Sequence, residues 1–455
     1  MQVEVLKLRN ALGLLEGLTK PKVEKVQTTV KDKRGRSKTT VKKERTWPVL
    51  RNVMLQDGRA VATDLDIAIM VDLPEATLGR YLLPFKQVSK LLTYVPGNQE
   101  VTIEMQGNNV SLTWPEGSAT YGTESVDDYP VIPEIKSVMK HSVSADILVP
   151  ALVSMLDYCA QEEAKPVLSS VILFLGNPLE VAAGDGFRMA FKTLSVGWPS
   201  SDGISSILLS AKVVDTLAHL WRKAPRPMPD DLSKVGGIAE LVVNKGNMDI
   251  EVSPILILVK FGIVSMLAKT TQGTPPNFKE FIQSASANAA NKVQLYGADL
   301  ERALRRIMVP SKDKQPSVRM VWAESKLVLS SEAKEGNVET TIPVHTFNGA
   351  GRIAINMGYL QEYASGKEGM ITMACTTRTA PVVFTHSRSP VVAIMPMQVI
   401  WPDEVQPEVK AEAIEEAKAK AEEETTDKDE PGETNENEPT EQELDSKEEH
   451  EALSL

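Results

Sequence analysis

Histidine side chains are the first candidates for catalysis, because an imidazole can exchange protons or bind a metal near neutral pH. The chain contains His141, His219, His345, His386 and His450, and none stands in a metal-binding spacing such as HExxH. The sequence also lacks the GxSxG elbow of a serine hydrolase. The sequence therefore offers no local catalytic motif, although residues distant in sequence can still meet in a fold.

Glycine-rich segments are the second place to look, because they can hold phosphate groups. Gly366-Lys367 lacks the earlier glycine and the following Ser or Thr of a Walker A loop. Gly184-Asp185-Gly186 suggests a phosphate loop only weakly, since Phe187 and Met189 beside it favour packing. No cofactor or metal is therefore expected, and we predict a protein that is not an enzyme.

The cysteine content and the hydropathy pattern indicate in which cellular compartment the protein works. Cys159 and Cys375 are too few for a disulfide framework, which fits a reducing cytoplasm. The N-terminus lacks the basic and apolar regions of a signal peptide. The most apolar stretch, from Pro254 to Ala268, contains Lys260 and is shorter than the roughly 20 residues that span a bilayer. We expect a cytoplasmic protein with buried β-strands in that stretch.

Charge is segregated along the chain, whose net charge is -11. Residues 403–455 contain 21 acidic and 5 basic side chains, and residues 20–45 contain 11 basic and 3 acidic ones. The acidic end is poor in large apolar residues, so we expect residues 401–455 to be a disordered tail. Outside the tail, basic side chains outnumber acidic ones by 45 to 40, which makes nucleic acid a plausible partner class.

An internal repeat organises the rest of the sequence. Three similar segments start at Trp47, Lys165 and Gln315, and each follows a helix predicted from apolar residues spaced i, i+3, i+4 and i+7. These first helices carry the stripes Leu8/Ala11/Leu12/Leu15, Leu152/Met155/Leu156 and Leu300/Ala303/Leu304/Ile307. A second helix in each third carries Phe85/Val88/Leu91/Leu92, Val214/Leu217/Ala218/Trp221 or Met357/Leu360/Tyr363. Alternating strands with turn residues follow each helix. The unit is therefore a helix plus antiparallel strands, repeated six times.

Five segments on this repeat resemble the bacterial DNA polymerase III beta subunit, the beta sliding clamp family. They are Ala62-Thr63-Asp64-Leu65-Asp66, Lys165-Pro166-Val167-Leu168 with Ala183 to Ala190, Gly273 to Phe278, Ile353 to Leu360, and Val392 to Val399. The resemblance runs from residue 1 to about residue 400. Gly273 to Phe278 resembles the strand and loop that enter the third domain. The order of the segments makes the resemblance specific, although each alone is weak.

The resemblance implies an α+β fold of three similar DNA-clamp domains, each a pair of helix-plus-strand repeats. We expect domains at 1–137, with a basic insertion at 20–45, at 138–285 and at 286–400. Two copies joined head to tail would form a closed ring around duplex DNA, with helices lining the hole. It also implies a homodimer that tethers a replicative polymerase and a clamp loader through short peptide motifs. The dimer contact is expected near Tyr121 on one copy and near Met308 and Val309 on the other.

Basic side chains off the apolar helix stripes are the candidates for phosphate contacts. Ordinary solvated helix faces explain any one of them equally well, but four of the six helices carry such residues. Lys212 is the strongest single candidate, because it matches a channel-facing lysine of the resembling family. The complete candidate set is Lys7, Arg9, Lys20, Lys33, Arg34, Arg36, Lys86, Lys90, Lys165, Lys212, Arg222, Arg302 and Arg305.

The basic insertion departs from the family, which has only a few residues there. Valines at 23, 26, 30 and 41 flank the turn Lys33-Arg34-Gly35-Arg36, a pattern that predicts a β-hairpin. We hypothesise that this hairpin touches DNA beside the hole; a disordered basic loop is the alternative. The acidic tail is a second departure. It is either a solubility tail or a competitor of DNA for the basic lining.

A partner groove is implied between the second and third domains. The matching positions are Leu168, Gly184, Gly186, Arg188, Met189, Pro276, Phe281, Met395, Pro396 and Met397. Methionine suits a groove that accepts several partners, because its side chain is flexible and polarisable. Without the resemblance, most of these residues would be assigned to the core. Gly184 stands where the family usually has threonine, and Phe187 where it often has histidine, so we expect an altered rim.

Two rival functions stay open at this point. An enzyme with a scattered site would break the sixfold repeat at one place, yet only the basic insertion interrupts it. A single-strand DNA-binding protein with an acidic regulatory tail would need exposed aromatic stacking platforms. Aromatic residues make up only 5% of the chain, against 42% hydrophobic residues in total, which counts against that rival.

Overall fold

The structure is a computed structural model, which describes residues 1–19, 23–27, 40–44, 47–76, 79–162, 164–198, 203–224, 246–308, 316–323, 325–333, 336–401 and 403. By internal contacts the chain divides into two units, Met1–Met397 and Gln398–Leu455. The tail predicted for residues 401–455 lies almost wholly outside the described residues and stays a prediction.

Seven α-helices are described: α1 Val5–Thr19, α2 Phe85–Leu92, α3 Ala145–Val153, α4 Ala211–Lys223, α5 Phe278–Ala287, α6 Gly297–Ile307 and α7 Met357–Ala364. Six of them are the helices that the apolar stripes predict. The predicted stripe Leu152/Met155/Leu156 extends beyond the end of α3 at Val153. A separate 3-10 helix, Leu156–Tyr158, follows α3. Helix α5, which no apolar stripe predicts, begins at Phe278, the last residue of the segment in which a strand and loop are expected. It begins where the Asn277 side chain accepts a hydrogen bond from the Glu280 backbone N–H.

The strands are β1 Gln2–Glu4, β2 Val23–Gln27, β3 Thr40–Glu44, β4 Asn52–Gln56, β5 Arg59–Thr63, β6 Ile67–Asp72, β7 Tyr81–Pro84, β8 Glu100–Gln106, β9 Asn109–Trp114, β10 Gly117–Gly122, β11 Met139–Ser144, β12 Ser170–Phe174, β13 Glu180–Gly184, β14 Arg188–Thr193, β15 Ser206–Ser210, β16 Asn247–Val252, β17 Leu256–Phe261, β18 Val264–Lys269, β19 Asn291–Tyr296, β20 Ser317–Ala323, β21 Lys326–Ala333, β22 Gly336–Pro343, β23 Thr346–Asn348, β24 Gly351–Asn356, β25 Met370–Cys375, β26 Val382–His386 and β27 Val391–Ile394. Strands β17 and β18 confirm the prediction of buried strands between Pro254 and Ala268.

The sheets are built from one four-stranded antiparallel group that occurs six times. Three groups have the order β7-β4-β5-β6, β15-β12-β13-β14 and β24-β20-β21-β22. The other three have the order β1-β8-β9-β10, β11-β16-β17-β18 and β19-β25-β26-β27. Pairing of β6 with β18, the first junction, joins two groups into an eight-stranded sheet. Pairing of β14 with β27, the second junction, joins two more, with β23 at the edge, into a nine-stranded sheet. The predicted sixfold repeat is confirmed, and the hairpin β2–β3 stands apart from it.

The eight- and nine-stranded sheets carry apolar residues on both faces, because successive side chains of a strand point to opposite sides and both sets are apolar there. Ala62 and Ile69 join the main core, whereas Val61 and Ala68 belong to clusters on the opposite face. The main core contains the buried sides of every helix except α5. Helix α5 packs instead on the opposite face of the nine-stranded sheet, through Phe278 and other residues of a separate cluster. Helices therefore cover one face, and α5 covers part of the other.

The sheets cross the sequence positions where domain boundaries are expected. Strands before residue 137 and strands after it form one eight-stranded sheet. The repeat supports the three-domain division, which stays a proposal. No helix among the described residues is long and apolar enough to span a membrane.

Candidate nucleic-acid interface and partner groove

The helices pack in pairs on one face of the sheets. Helix α1 lies against α2, α3 against α4, and α6 against α7, while α1 also touches α4 across the first junction. Their apolar stripes are buried, so the basic residues between the stripes are left on the outside. The predicted phosphate-contact residues that are exposed on these helices are Lys7, Lys86, Lys90, Lys212, Arg222, Arg302 and Arg305.

Arg9 is the basic candidate that the structure turns inward. Its guanidinium donates hydrogen bonds to the carbonyl oxygens of Leu92 and of Val95, the latter at 2.7 Å. These carbonyls lie at and just beyond the C-terminal end of α2, where helix carbonyls need donors. Arg9 thus fastens α2 to α1; its side chain is half-buried, and its contact with phosphate stays a prediction.

Lys212, the strongest sequence candidate, is held by an acidic partner. Its ammonium forms an ion pair with Asp64, whose side chain is only 6% exposed while that of Lys212 is 43% exposed. Asp64 lies in the turn between β5 and β6, so the pair connects the first junction to helix α4. Lys212 therefore faces solvent in part, but its charge is largely balanced.

Surface carboxylates also accompany several other candidates. Lys7 lies 2.7 Å from Glu75, Lys165 lies 3.1 Å from Glu162, and Arg302 and Arg305 pair with Asp299 and Glu301 of the same helix. Such exposed pairs are weak and screened by salt. A phosphate can therefore displace these carboxylates at little cost. The exposed candidates Lys86 and Lys90 form none of the ion pairs described for this chain.

The predicted basic hairpin forms as a strand pair. Strands β2 and β3 pair antiparallel from Val23 opposite Glu44 to Gln27 opposite Thr40. This confirms the hairpin as a backbone arrangement. Its predicted contact residues Lys20, Lys33, Arg34 and Arg36 lie outside the described residues, so their role stays a prediction.

Three large apolar side chains are exposed around the predicted partner groove. Phe187 is 62% exposed, Met395 40% and Phe281 39%. The backbone N–H of Met395 donates to the carbonyl oxygen of Phe187 at 2.8 Å, which joins the two segments. The other groove residues are the half-buried Leu168, Met189, Pro396 and Met397 and the exposed Gly186 and Pro276.

Gly184 is explained by the helix that the sequence did not predict. An ideal Cβ on Gly184 would lie 2.8 Å from Cε1 of Phe278 and 3.2 Å from Cβ of Met189. A threonine there would collide with Phe278, the first residue of α5. The glycine therefore allows α5 to pack closely against the sheet, beside the groove.

Arg188 connects residues on both sides of the second junction, and its side chain is buried, with only 8% exposed. Its guanidinium contacts the Asp185 carboxylate at 3.1 Å, the Glu362 carboxylate at 2.5 Å and the Asp157 carbonyl oxygen at 2.5 Å. It also lies over the Tyr359 ring, 4.4 Å from the ring centroid. These internal contacts engage the guanidinium of Arg188, and the place of Arg188 in the partner groove stays a prediction.

Two aspartates in equivalent turns have structural roles that the sequence patterns do not predict. Asp64 Oδ1 accepts from the backbone N–H of Asp66 and Ile67, and Asp185 Oδ1 accepts from Phe187 and Arg188 in the same pattern. The second oxygen of each then binds a basic side chain, Lys212 or Arg188. Alignment of the two repeats would have revealed the shared aspartate, although not its cationic partner.

The predicted dimer residues lie at two different ends of the fold. Tyr121 is a half-buried residue of β10, an edge strand of the first sheet. Met308 follows the last residue of α6 and is half-buried. Val309 lies outside the described residues.

The described residues hold no group of three His, Cys, Asp or Glu side chains that could bind a metal. Both cysteines are buried, and burial raises the pKa of Cys159 to about 12 and that of Cys375 to about 11. Neither thiol is thereby favoured as a nucleophile at neutral pH.

Known proteins similar to this chain are beta sliding clamps. The beta sliding clamp of Synechococcus elongatus is 24% identical over 353 residues, which cover 74% of this chain and 88% of that protein. The beta sliding clamp of Chlamydia pneumoniae is 22% identical over 363 residues, or 77% of this chain and 92% of that protein. No family model matches the sequence.

Solved structures of the DNA polymerase III beta subunit have the same fold. The subunit from Pseudomonas aeruginosa superposes with a TM-score of 0.71 at 18% identity, over 88% of this chain and 99% of that one. The subunit from Thermotoga maritima gives a TM-score of 0.67 at the same identity and coverage. Sequence similarity to beta sliding clamps along about three quarters of the chain thus accompanies the shared fold of the DNA polymerase III beta subunit.

Proposed function

We propose that this chain is a DNA sliding clamp, a ring that encircles duplex DNA and tethers replication proteins without catalysing a reaction itself. The observation that carries the proposal is an incomplete set of sheet junctions. Within the chain, β6 pairs with β18 and β14 pairs with β27. By the repeat, the third such pair would be β22 with β10.

Strands β10 and β22 are both at the edge of their sheets, as a third junction requires. Each is an edge strand with one described neighbour, β9 for β10 and β21 for β22. An edge strand presents unpaired backbone groups that can pair with another chain. Strand β10 belongs to a group in the first third of the chain, and β22 belongs to a group in the last third. The proposal therefore pairs β22 of one copy with β10 of a second copy. Two such contacts close a head-to-tail ring.

Closure explains why weak, exposed basic residues suffice. A ring stays on DNA by topology, so tight binding is unnecessary. Contacts from Lys86, Lys90 and their counterparts to phosphate carry no sequence information and have similar energy at every register. The chain can then slide. The hairpin β2–β3 is proposed as an additional basic contact beside the hole.

The partner groove is proposed to receive apolar side chains of short peptides from a polymerase or clamp loader. The exposed apolar side chains Phe187, Phe281 and Met395 support this assignment. Exposed apolar residues clustered on a surface are typical of interaction sites. One solved beta clamp of this fold, from Pseudomonas aeruginosa, is described with bound griselimycin.

The first test is the oligomeric state, measured by size-exclusion chromatography with light scattering. We expect a dimer of the full chain that persists at high salt. Substitution of Val338 in β22 by Lys should give monomers, because it places a charge on the edge that β10 would cover. Lys326→Glu, an exposed change in the neighbouring strand β21, is the matched control. A wild-type monomer at micromolar concentration would contradict the ring.

The second test asks for topological retention. Clamps loaded onto nicked circular duplex DNA by a clamp loader should stay bound in high salt and leave when a restriction enzyme linearises the DNA. A single-strand DNA-binding protein would show no such dependence on circularity. Equal retention on both forms would favour that rival.

A further inference from the structure

A second cleft lies on the sheet face away from the paired helices, at the first junction. Its floor and wall are apolar, from Val61, Met70, Leu258 and Leu267, and Ile132 and Ile135 of the following segment lie over it. Its volume is about 530 Å³. It is thus large enough for one or two amino-acid side chains of a ligand.

The internal repeat relates this cleft to the sheet face beside Gly184. Ala68 pairs with Leu267 in the first junction as Met189 pairs with Ala393 in the second. In the second junction, helix α5 covers the corresponding face. In the first junction, the covering segment is not helical and contributes only half-buried isoleucines. The first junction therefore keeps apolar surface that the second junction buries.

A cluster of charges gives one wall of the cleft a positive character. The Glu251 carboxylate lies 2.9 Å from the Lys140 ammonium and 2.8 Å from that of Lys260. Glu251 is 13% exposed, whereas the two lysines are 67% and 46% exposed. One largely buried negative charge therefore holds two largely exposed positive charges, and each ammonium retains donors for a ligand.

The other charged side chains that line the cleft are Arg59, Asp57 and Glu134. Arg59 lies 3.5 Å from Asp72, which balances it. Asp57 and Glu134 also line the cleft, on the β4–β5 turn and on the covering segment, rather than on the strands that carry the lysine pair. The lining as a whole carries three basic and three acidic side chains, so the positive surplus is local to Lys140 and Lys260, and a ligand carboxylate is favoured there.

We propose that this cleft docks a short acidic peptide of a partner protein, with an aliphatic side chain on the apolar floor and a neighbouring carboxylate between Lys140 and Lys260. The site is separate from the groove beside Phe187. It rests on the fold of one chain and not on ring closure, so a failure of one proposal does not imply a failure of the other. A clamp with both sites could hold two partners at once on the same chain.

The test uses the full-length chain and a fluorescein-labelled peptide, Gly-Leu-Asp-Leu-Gly amide, in fluorescence polarisation. The comparator peptide has lysine in place of aspartate. We expect saturable binding of the acidic peptide that weakens with added salt, and binding at least tenfold weaker for the lysine peptide. Absence of saturable binding by the acidic peptide would overturn the proposal.

Variants locate the binding. Lys140→Gln combined with Lys260→Gln should weaken binding of the acidic peptide about tenfold, and Lys140→Gln alone by less. The matched control is Lys292→Gln combined with Lys326→Gln, two exposed lysines of the last third, which should leave affinity unchanged. Because Lys140 is mostly exposed, its single variant keeps the test usable if the double variant unfolds. Unchanged affinity in the Lys140 and Lys260 variants, or loss of binding in Phe187→Ala, would assign the peptide elsewhere.

Discussion

Cε1 of Phe278 occupies the space that a side chain on residue 184 would need, 2.8 Å from an ideal Cβ built on Gly184. This relationship links a residue of β13 to the first residue of α5. Phe278 is buried in the cluster on the sheet face away from the paired helices. The seating of α5, and with it the position of Phe281 at the groove, therefore depends on the absence of a side chain at residue 184.

Gly184→Ala should destabilise the fold by about 1–3 kcal/mol, the range for overpacking a tight site. The added methyl group must move Phe278 or the backbone at Arg188, whose carbonyl oxygen lies 3.1 Å from the ideal Cβ. Urea unfolding monitored by circular dichroism measures the change. Gly17→Ala in α1 is the control, because nothing lies within 4 Å of its ideal Cβ and the residue is exposed.

The control variant should stabilise the chain by about 0.5–1 kcal/mol, since alanine is the better helix former. Phe278→Leu should reduce the penalty of Gly184→Ala in a double-mutant cycle, because the two side chains share one space. Additive effects of the two substitutions would show that Phe278 is not the obstacle.

Much of this fold could be predicted from the sequence because apolar periodicity survives in each repeat. The stripe Leu300/Ala303/Leu304/Ile307 predicts α6, and all four residues are fully buried. Helix α5 was not predictable in the same way. Its buried side is short, Phe278 and Ile282, and its start is set by Asn277, a residue equally typical of turns.

The sites were less predictable than the fold, because a charged residue does not reveal its partner. Arg9 and Lys86 look alike in sequence, yet Arg9 donates to two carbonyl oxygens and Lys86 is exposed. The position of Arg188 in a motif predicts a place in the groove instead of its internal role. That role requires Glu362, which lies far along the chain in α7, and no local pattern connects the two.

Arg188→Ala should destabilise the chain by about 3 kcal/mol or more, as expected when one partner of a buried ionic cluster is removed. Arg188→Lys should recover only part of this, since an ammonium cannot reach Asp185, Glu362 and the Asp157 carbonyl together. Thermal unfolding by calorimetry compares the variants. Arg305→Lys, which alters an exposed pair with Glu301, should change stability by less than about 0.5 kcal/mol. Wild-type stability of Arg188→Lys would show that the guanidinium contacts of Arg188 do not stabilise the fold.

Lys86→Gln with Lys90→Gln should lower the salt dependence of DNA association by about 0.9 in the log–log slope for each phosphate that the variant no longer neutralises. Lys212→Gln should have a smaller effect, because Asp64 already balances the charge of Lys212. In an Asp64→Asn background, the effect of Lys212→Gln should increase. Association with linear duplex DNA, measured by fluorescence anisotropy over a salt series, gives the slopes. Equal slopes for Lys212→Gln in both backgrounds would show that the ion pair does not limit Lys212.

The pH dependence of stability should include a contribution from Glu251. Hydrogen bonds from Lys260 and Lys140 lower the pKa of this carboxyl from 4.5 to about 2. Because the pKa is lower in the folded chain than in the unfolded one, ionised Glu251 stabilises the fold. This contribution is complete above pH 4.5 and is lost as the pH falls toward 2.

Glu251→Gln removes the contribution, so its stability difference from the wild type should be largest at pH 6 and shrink as the pH falls below 4.5. Urea unfolding at about pH 3, 4, 5 and 6, which spans the titration of a glutamate carboxyl, measures the difference. Glu339→Gln, an exposed carboxyl on β22, serves as the control and should show little pH-dependent difference. A constant difference between Glu251→Gln and wild type across this range would mean that the two lysines do not hold the carboxylate in its charged form.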